Sequence, residues 1–152
     1  MRVLLVEDED PKRRHIEAFL RTASPAVVFT TARSVRSALD SLTESKPDLV
    51  LLDMSLPTFD IGSNESGGRP QGFGGSELLR KMELEGVDCP VIVLTGYDAF
   101  NKAGEQVGLE ELRQELAEDH PDIFLALLQF NSAYGDWQDR LRAILASMES
   151  SD

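Results

Sequence analysis

The chain has 152 residues, of which 41% are hydrophobic and 28% charged, and this size and composition are typical of one soluble globular domain. The net charge of -12, with no stretch rich in lysine and arginine, disfavours direct binding of nucleic acid. No run of about eighteen apolar residues is present, so neither a membrane span nor a secretory leader is predicted, and we expect a cytoplasmic protein. Cys89 is the single cysteine, which excludes an internal disulfide.

The N-terminal third alternates strand-like and helix-like segments. Residues 2–7 are predicted to form a buried strand, and Asp10 and Pro11 to cap and open a helix. The apolar stripe of that helix comprises Ile16, Phe19, Leu20 and Ala23, and the cations assigned to its solvent side are Lys12, Arg13, Arg14 and Arg21. A second strand at 27–30 and a helix capped by Ser34 follow.

The remainder continues this alternation with two interruptions. A third strand is predicted at 48–53, and the glycine-rich residues 58–75 form a long loop before a helix that starts at Ser76. Beyond it, a fourth strand is predicted at 89–95, an enlarged and interrupted helical segment at 98–120, a fifth strand at 123–130, and a last amphipathic helix around Trp137. The helical stripes assigned to 98–120 are Phe100, Ala103 and Val107, then Leu109, Leu112 and Leu116.

Five strands alternating with helices predict an α/β fold: a doubly wound, five-stranded parallel sheet of the flavodoxin-like type with strand order 2-1-3-4-5. In that order the first and third strands are neighbours, so their carboxyl ends would bring Glu7, Asp8 and Asp53 together. Crowded carboxylates repel one another unless a cation joins them, and Mg2+ favours oxygen ligands of this kind. The sequence therefore predicts a magnesium site at this edge.

Four ordered motifs resemble the receiver domain of two-component response regulators. They are Val-Glu-Asp at 6–8, Leu-Leu-Asp-Met-Ser-Leu-Pro at 51–57, Gly75 with Glu-Leu-Leu at 77–79, and Pro-Val-Ile-Val-Leu-Thr-Gly at 90–96. The resemblance implies a signalling domain rather than an enzyme, one that at most assists its own phosphoryl transfer.

The resemblance also implies a role for individual residues. Asp53 would be the phosphoacceptor, and Thr95 would be the switch hydroxyl that turns toward the phosphoryl group. Glu7, Asp8, Asp53 and the backbone carbonyl of Ser55 would hold Mg2+. A plainer interpretation remains open for each: a strand-end threonine that caps a turn, and acids at a solvated strand end.

The fifth strand departs from the family pattern. Receivers end this strand with a lysine that pairs with the phosphoryl group, but no lysine follows Lys102 in this chain. Gln129 or Phe130 occupies the corresponding place, and Gln129 could donate a hydrogen bond without supplying charge. Other cations that could compensate are Arg69 in the glycine-rich loop, and Arg13 and Arg14 in the first helix.

Two functions follow as hypotheses. The first is a response regulator made of a single receiver domain, 1–152, without an output domain. It would take a phosphoryl group from a histidine kinase or phosphotransfer protein and bind a protein effector in trans. The alternative is a pseudo-receiver that binds proteins independently of phosphorylation. Neither a nucleic acid nor a membrane is an expected partner, a homodimer is left open, and the acids between Gly104 and Asp122 indicate either a basic partner or a solvated helix side.

Overall fold

The computed structural model describes residues 1–56, 74–96, 99–102, 105–131 and 135–150. The strands are β1 (Arg2–Val6), β2 (Val28–Ala32), β3 (Leu49–Leu52), β4 (Val91–Thr95), β5 (Ala99–Lys102), β6 (Glu105–Gly108) and β7 (Phe124–Gln129). The helices are α1 (Asp10–Ala23), α2 (Val35–Glu44), α3 (Gly74–Leu84), α4 (Leu109–Asp119) and α5 (Asp136–Ser150). Within these ranges no helix has both the length and the hydropathy that crossing a membrane would require.

The main sheet is parallel and has the order β2-β1-β3-β4-β7, which confirms the predicted flavodoxin-like topology, with β7 as the fifth strand of the main sheet. Strands β1 and β3 pair from Val3 opposite Leu49 to Val6 opposite Leu52. The segments that follow β1 and β3 therefore leave the sheet side by side. Helices α2, α3 and α4 cover one face and α1 and α5 the other, so the central strands are buried on both faces.

The predicted cap of α2 is confirmed, and Cys89 and Gly86 also have defined local roles. The Ser34 hydroxyl accepts a hydrogen bond from the backbone N–H of Ser37, so α2 is capped as expected. The Cys89 thiol is buried and donates to the Pro47 carbonyl at 3.3 Å, as befits a packed core thiol. Gly86 follows α3 with a φ of 71°, the left-handed conformation that ends a helix.

The assignment of Lys12 to the solvent side of the first helix is wrong. Helix α1 begins at Asp10, with Glu9 rather than Asp10 at the N-cap position. Lys12 then lies one helical turn before Ile16, on the same face as the apolar stripe. Its side chain is 5% exposed.

The predicted helical segment 98–120 is helical only in its second part. Residues Ala99–Lys102 and Glu105–Gly108 form an antiparallel pair of strands, in which Phe100 lies opposite Val107. The two residues that would have shared a helical stripe are thus cross-strand partners. Gly108 has extended backbone angles and serves as the N-cap of α4, so the helix can start only after it.

The predicted loop 58–75 overlaps the start of α3. Gly74 and Gly75 belong to the helix, while the rest of that loop, including Arg69, lies outside the described residues. A Cβ atom added to Gly74 would lie 1.9 Å from the Leu56 carbonyl oxygen, so only glycine permits this approach. The backbone N–H of Gly75 donates to the Met54 carbonyl at 3.1 Å, which joins α3 to the turn after β3.

Candidate functional site

The three predicted acids converge at the carboxyl edge of the sheet. Glu7 and Asp8 follow β1, and Asp53 follows β3. The backbone N–H of Asp53 donates to the Val6 carbonyl at 3.0 Å and that of Glu7 to the Ala32 carbonyl at 2.9 Å, so the sheet hydrogen bonding extends up to the acids. One carboxylate oxygen from each of Glu7, Asp8 and Asp53 lies within 4.8 Å of the other two.

This acidic cluster, Glu7, Asp8 and Asp53, is largely withdrawn from water. Glu7 is 1% exposed and Asp53 is 5% exposed, while Asp8 is half-buried. Burial raises the pKa of Glu7 to about 8, and the neighbouring Asp53 carboxylate adds to this effect. Burial and the charge of Asp53 also raise the pKa of Asp8 above its ordinary value. Glu7 and Asp8 therefore bind protons more readily than isolated carboxylates do.

A buried lysine completes the cluster. The Lys12 ammonium lies 2.8 Å from Glu7 Oε1 and 3.3 Å from Asp53 Oδ1. It also donates to the Leu94 backbone carbonyl at 2.8 Å, so all three of its N–H groups have an acceptor. Burial disfavours the ammonium, but the charges of Asp53 and Glu7 outweigh this, and the pKa of Lys12 is raised. Lys12 is therefore a cation held against the proposed phosphoacceptor.

The other predicted site residues lie around this cluster. Thr95 is fully buried at the end of β4, one residue after the carbonyl that Lys12 binds, and Ser55 is buried two residues after Asp53. Gln129 is paired in register with Thr95, but its side chain is exposed and lines a groove with Arg113 and Arg140. The cation that contacts Asp53 comes from Lys12 instead.

Phe130, the residue after Gln129, faces the site from the end of β7. Its ring centroid lies 5.7 Å from the Lys12 ammonium, within the range of a cation–π interaction. The same ring lies 5.2 Å from the Trp137 ring and 5.4 Å from that of His15. An aromatic cluster therefore connects Lys12 with α5.

The donor set suits a hard divalent ion. With all four groups ionised, three carboxylates and one ammonium leave a charge of -2, which such an ion would neutralise. The Lys12 contacts use a single oxygen of Glu7 and a single oxygen of Asp53. The side-chain atoms of the cluster that could bind a metal are all carboxylate oxygens, the ligands that Mg2+ prefers. The residues present thus fit the magnesium ion expected from the sequence.

Comparison with known proteins agrees with this geometry. The family model described as the response regulator receiver domain matches residues 3–112. The chain is 24% identical over 151 residues to the protein y4jR of Sinorhizobium fredii, an alignment that covers 98% of this chain and 99% of y4jR. It is 26% identical over 143 residues to the Detocs response regulatory protein DtcB of Enterobacter cloacae, covering 93% of this chain and 95% of DtcB.

A solved structure shows the same fold. The response regulator protein TrrA of Thermotoga maritima, crystallised in complex with Mg2+-BeF, superposes with a TM-score of 0.64 at 20% identity and 97% coverage of both chains. At this identity the likeness concerns the fold alone. The family match extends over the strand ends that carry Glu7, Asp8, Asp53 and Thr95. The chain therefore belongs to the response regulator receiver domain family of two-component signalling.

Proposed function

We propose that the chain is a single-domain response regulator that accepts a phosphoryl group on Asp53 from a histidine kinase or phosphotransfer protein and acts through a protein effector in trans. The observation that carries this proposal is the convergence of Glu7, Asp8 and Asp53 on one point at the sheet edge. Matches to y4jR and DtcB over nearly the whole length of each support a regulator without an attached output domain.

The chemistry asked of the site is a displacement at phosphorus. An Asp53 carboxylate oxygen forms the new P–O bond while the P–N bond of the donor phosphohistidine breaks, and the imidazole nitrogen keeps the electron pair. Such a transfer depends mainly on in-line positioning and on neutralising the phosphoryl oxygens. Glu7, Asp8, Asp53 and the Ser55 carbonyl would hold Mg2+, which when bound contributes to that neutralisation.

Thr95 is our proposed switch residue. Register pairing of Leu52 with Val93 places the end of β4 beside the segment that carries Asp53. The Thr95 carbonyl accepts a hydrogen bond from the Phe130 N–H at 2.7 Å. A movement of Thr95 toward a modified Asp53 would therefore act directly on the end of β7.

The exposed side of α4 suggests the chemistry of a partner. Four acidic residues on this helix are exposed: Glu110, Glu111, Glu118 and Asp119. The single basic residue of the helix, Arg113, is already ion-paired with Glu110. We propose that this surface meets a protein with a basic face.

A pseudo-receiver is the second candidate function, and one observation favours it. Lys12 forms ion pairs with both Glu7 and Asp53, so partners within the chain satisfy these two acids. A cluster stabilised in this way could serve a protein-binding module that never becomes phosphorylated. In both cases the kinship with response regulators is unchanged.

Intact mass measurement after incubation with acetyl phosphate and Mg2+ distinguishes the two. A response regulator gains the mass of one phosphoryl group, and Asp53→Asn loses that gain while the exposed control Asp40→Asn keeps it. No gain in the wild-type chain would contradict the proposal and favour the pseudo-receiver.

A further inference from the structure

We propose that Lys12 supplies, from helix α1, the positive charge that pairs with the phosphoryl group on Asp53. This inference rests on the function proposed above and adds a catalytic residue to it. In this arrangement the charge comes from a helix, and the end of the fifth strand, with Gln129 and Phe130, provides no cation.

The contacts of the ammonium place it where the new phosphoryl oxygens would lie. Lys12 Nζ is 3.3 Å from Asp53 Oδ1, so the oxygens of a phosphoryl group on that carboxylate would form close to the ammonium. The Leu94 carbonyl holds the ammonium at 2.8 Å and belongs to the backbone of β4, which phosphorylation does not alter chemically. The unbranched lysine stem allows the small shift from carboxylate to phosphoryl oxygen.

Strand alternation explains why Gln129 in β7 does not face Lys12 and Asp53. Leu127 packs on the side of α2, α3 and α4, whereas Leu128 and Phe130 pack in the cluster that contains α1 and α5. Gln129 lies between Leu128 and Phe130 in sequence, so it belongs to the opposite side from them. Phe130, the residue just after β7, also lies on the Lys12 side, and its ring contacts the ammonium.

Two nearby arginines form ion pairs with carboxylates other than Asp53. Arg13 pairs with Asp10 at 3.1 Å and with Glu17 at 3.1 Å. Arg33 pairs with Asp10 at 3.2 Å. Among the cations in the described parts of the chain, Lys12 is the one in contact with the Asp53 carboxylate.

The test compares Lys12→Gln, which removes the charge, with Lys12→Arg, which keeps it. Arg21→Gln is the matched control, because it removes one positive charge from an exposed position of the same helix. For each variant, the rate of phosphorylation by acetyl phosphate is measured by intact mass at saturating Mg2+, and Mg2+ affinity is measured by calorimetry.

We expect Lys12→Gln to slow phosphorylation by about tenfold or more, since one electrostatic donor to a reacting group typically contributes at least this much. Lys12→Arg should retain most of the rate, and Arg21→Gln all of it. Mg2+ affinity of Lys12→Gln should stay equal or increase, because a competing cation has left the cluster. A purely structural role would instead lower rate and affinity together, and that result would overturn the inference.

A measurement on the wild-type chain covers the case in which Lys12→Gln does not fold. Acetic anhydride labelling, read by peptide mass, compares Lys12 with the exposed Lys46 before and after phosphorylation. The inference predicts that Lys12 stays protected or becomes more so, and a gain in its labelling would overturn it. Failure of the wild-type chain to accept phosphate at all would instead contradict the proposed function.

Discussion

Glu7 links the ionisation of the site to its ability to bind metal. Its carboxyl group is almost fully buried, and this burial raises its pKa to about 8, so it holds a proton more readily than an ordinary glutamate does. A metal ligand must give up that proton, so binding of Mg2+ and release of a proton are coupled. The pH dependence of Mg2+ affinity therefore tests the environment of one residue.

We expect Mg2+ affinity to rise between about pH 6 and about pH 8 and to level off above, with a slope of up to about tenfold per pH unit if one proton is displaced. Calorimetry at several pH values measures this. The Glu7→Gln variant, which has no such proton, should bind more weakly and with a flatter pH profile. An affinity independent of pH in the wild-type protein would show that Mg2+ displaces no proton in this range, which would contradict the raised pKa of Glu7.

Residue types alone indicated the acids but not their cation. Glu7, Asp8 and Asp53 could be predicted because each ends a recognisable apolar strand. Lysine is ordinarily a surface residue, so the charge of Lys12 predicts a solvent-facing side chain, whereas its position in the helix predicts a buried one. The signal was present in the helical spacing, since Lys12 precedes Ile16 by four residues. Gln129 and the arginines at 13, 14 and 69 were the expected replacements for the missing lysine, whereas Lys12 is the cation that contacts Asp53.

At the level of elements, the junction between β3 and α3 is fixed by close backbone contact. A Cβ atom on Gly74 would meet the Leu56 carbonyl, and one on Gly75 would lie 2.8 Å from the Met54 Cα. The turn that follows Asp53 is thereby held directly against the first turn of α3. Small changes in this helix are expected to reach Asp53.

Gly74→Ala should lower the free energy of unfolding by about 1–3 kcal/mol, the usual cost of forcing an extra carbon into a packed position. Urea denaturation measures this. Gly96→Ala serves as the control, because an added Cβ there meets nothing within 4 Å, and its stability should remain close to wild type. Equal stability of the two variants would mean that the α3 junction can relax.

Elements with strong periodicity were predictable, and the exception has a physical reason. The five parallel strands and most helices follow from apolar runs and caps, such as Ser34 before α2. Phe100 and Val107 are seven residues apart, the spacing of two helical turns, so this pattern predicts a helix where the structure has β5 and β6. The same two residues also suit an antiparallel pair, and spacing alone does not distinguish these cases.

For the whole molecule, burial of the central strands should make Cys89 a reporter of global unfolding. The thiol is fully buried just before β4, and burial raises its pKa to about 11. At about pH 8 the folded protein therefore presents a protonated, inaccessible thiol, whereas a thiol in an unfolded chain is partly ionised.

Iodoacetamide should accordingly label Cys89 far more slowly in the native protein than in the urea-unfolded chain. The labelling rate of the native protein should be set by how often the sheet opens. Peptide mass spectrometry over time measures the labelling. Rapid labelling of the native protein would contradict this, because it would mean that local opening around Cys89 costs much less free energy than global unfolding.

The ammonium of Lys12 also connects the carboxyl ends of three neighbouring strands of the sheet. Its acceptors are Glu7 after β1, Asp53 after β3 and the Leu94 carbonyl in β4. Removing one partner of such a buried pair typically costs several kcal/mol. The fold therefore depends on Glu7 and Asp53 whether or not the chain is phosphorylated. In a relative with the same lysine, finding both acids would indicate these ion pairs as much as a phosphorylation site.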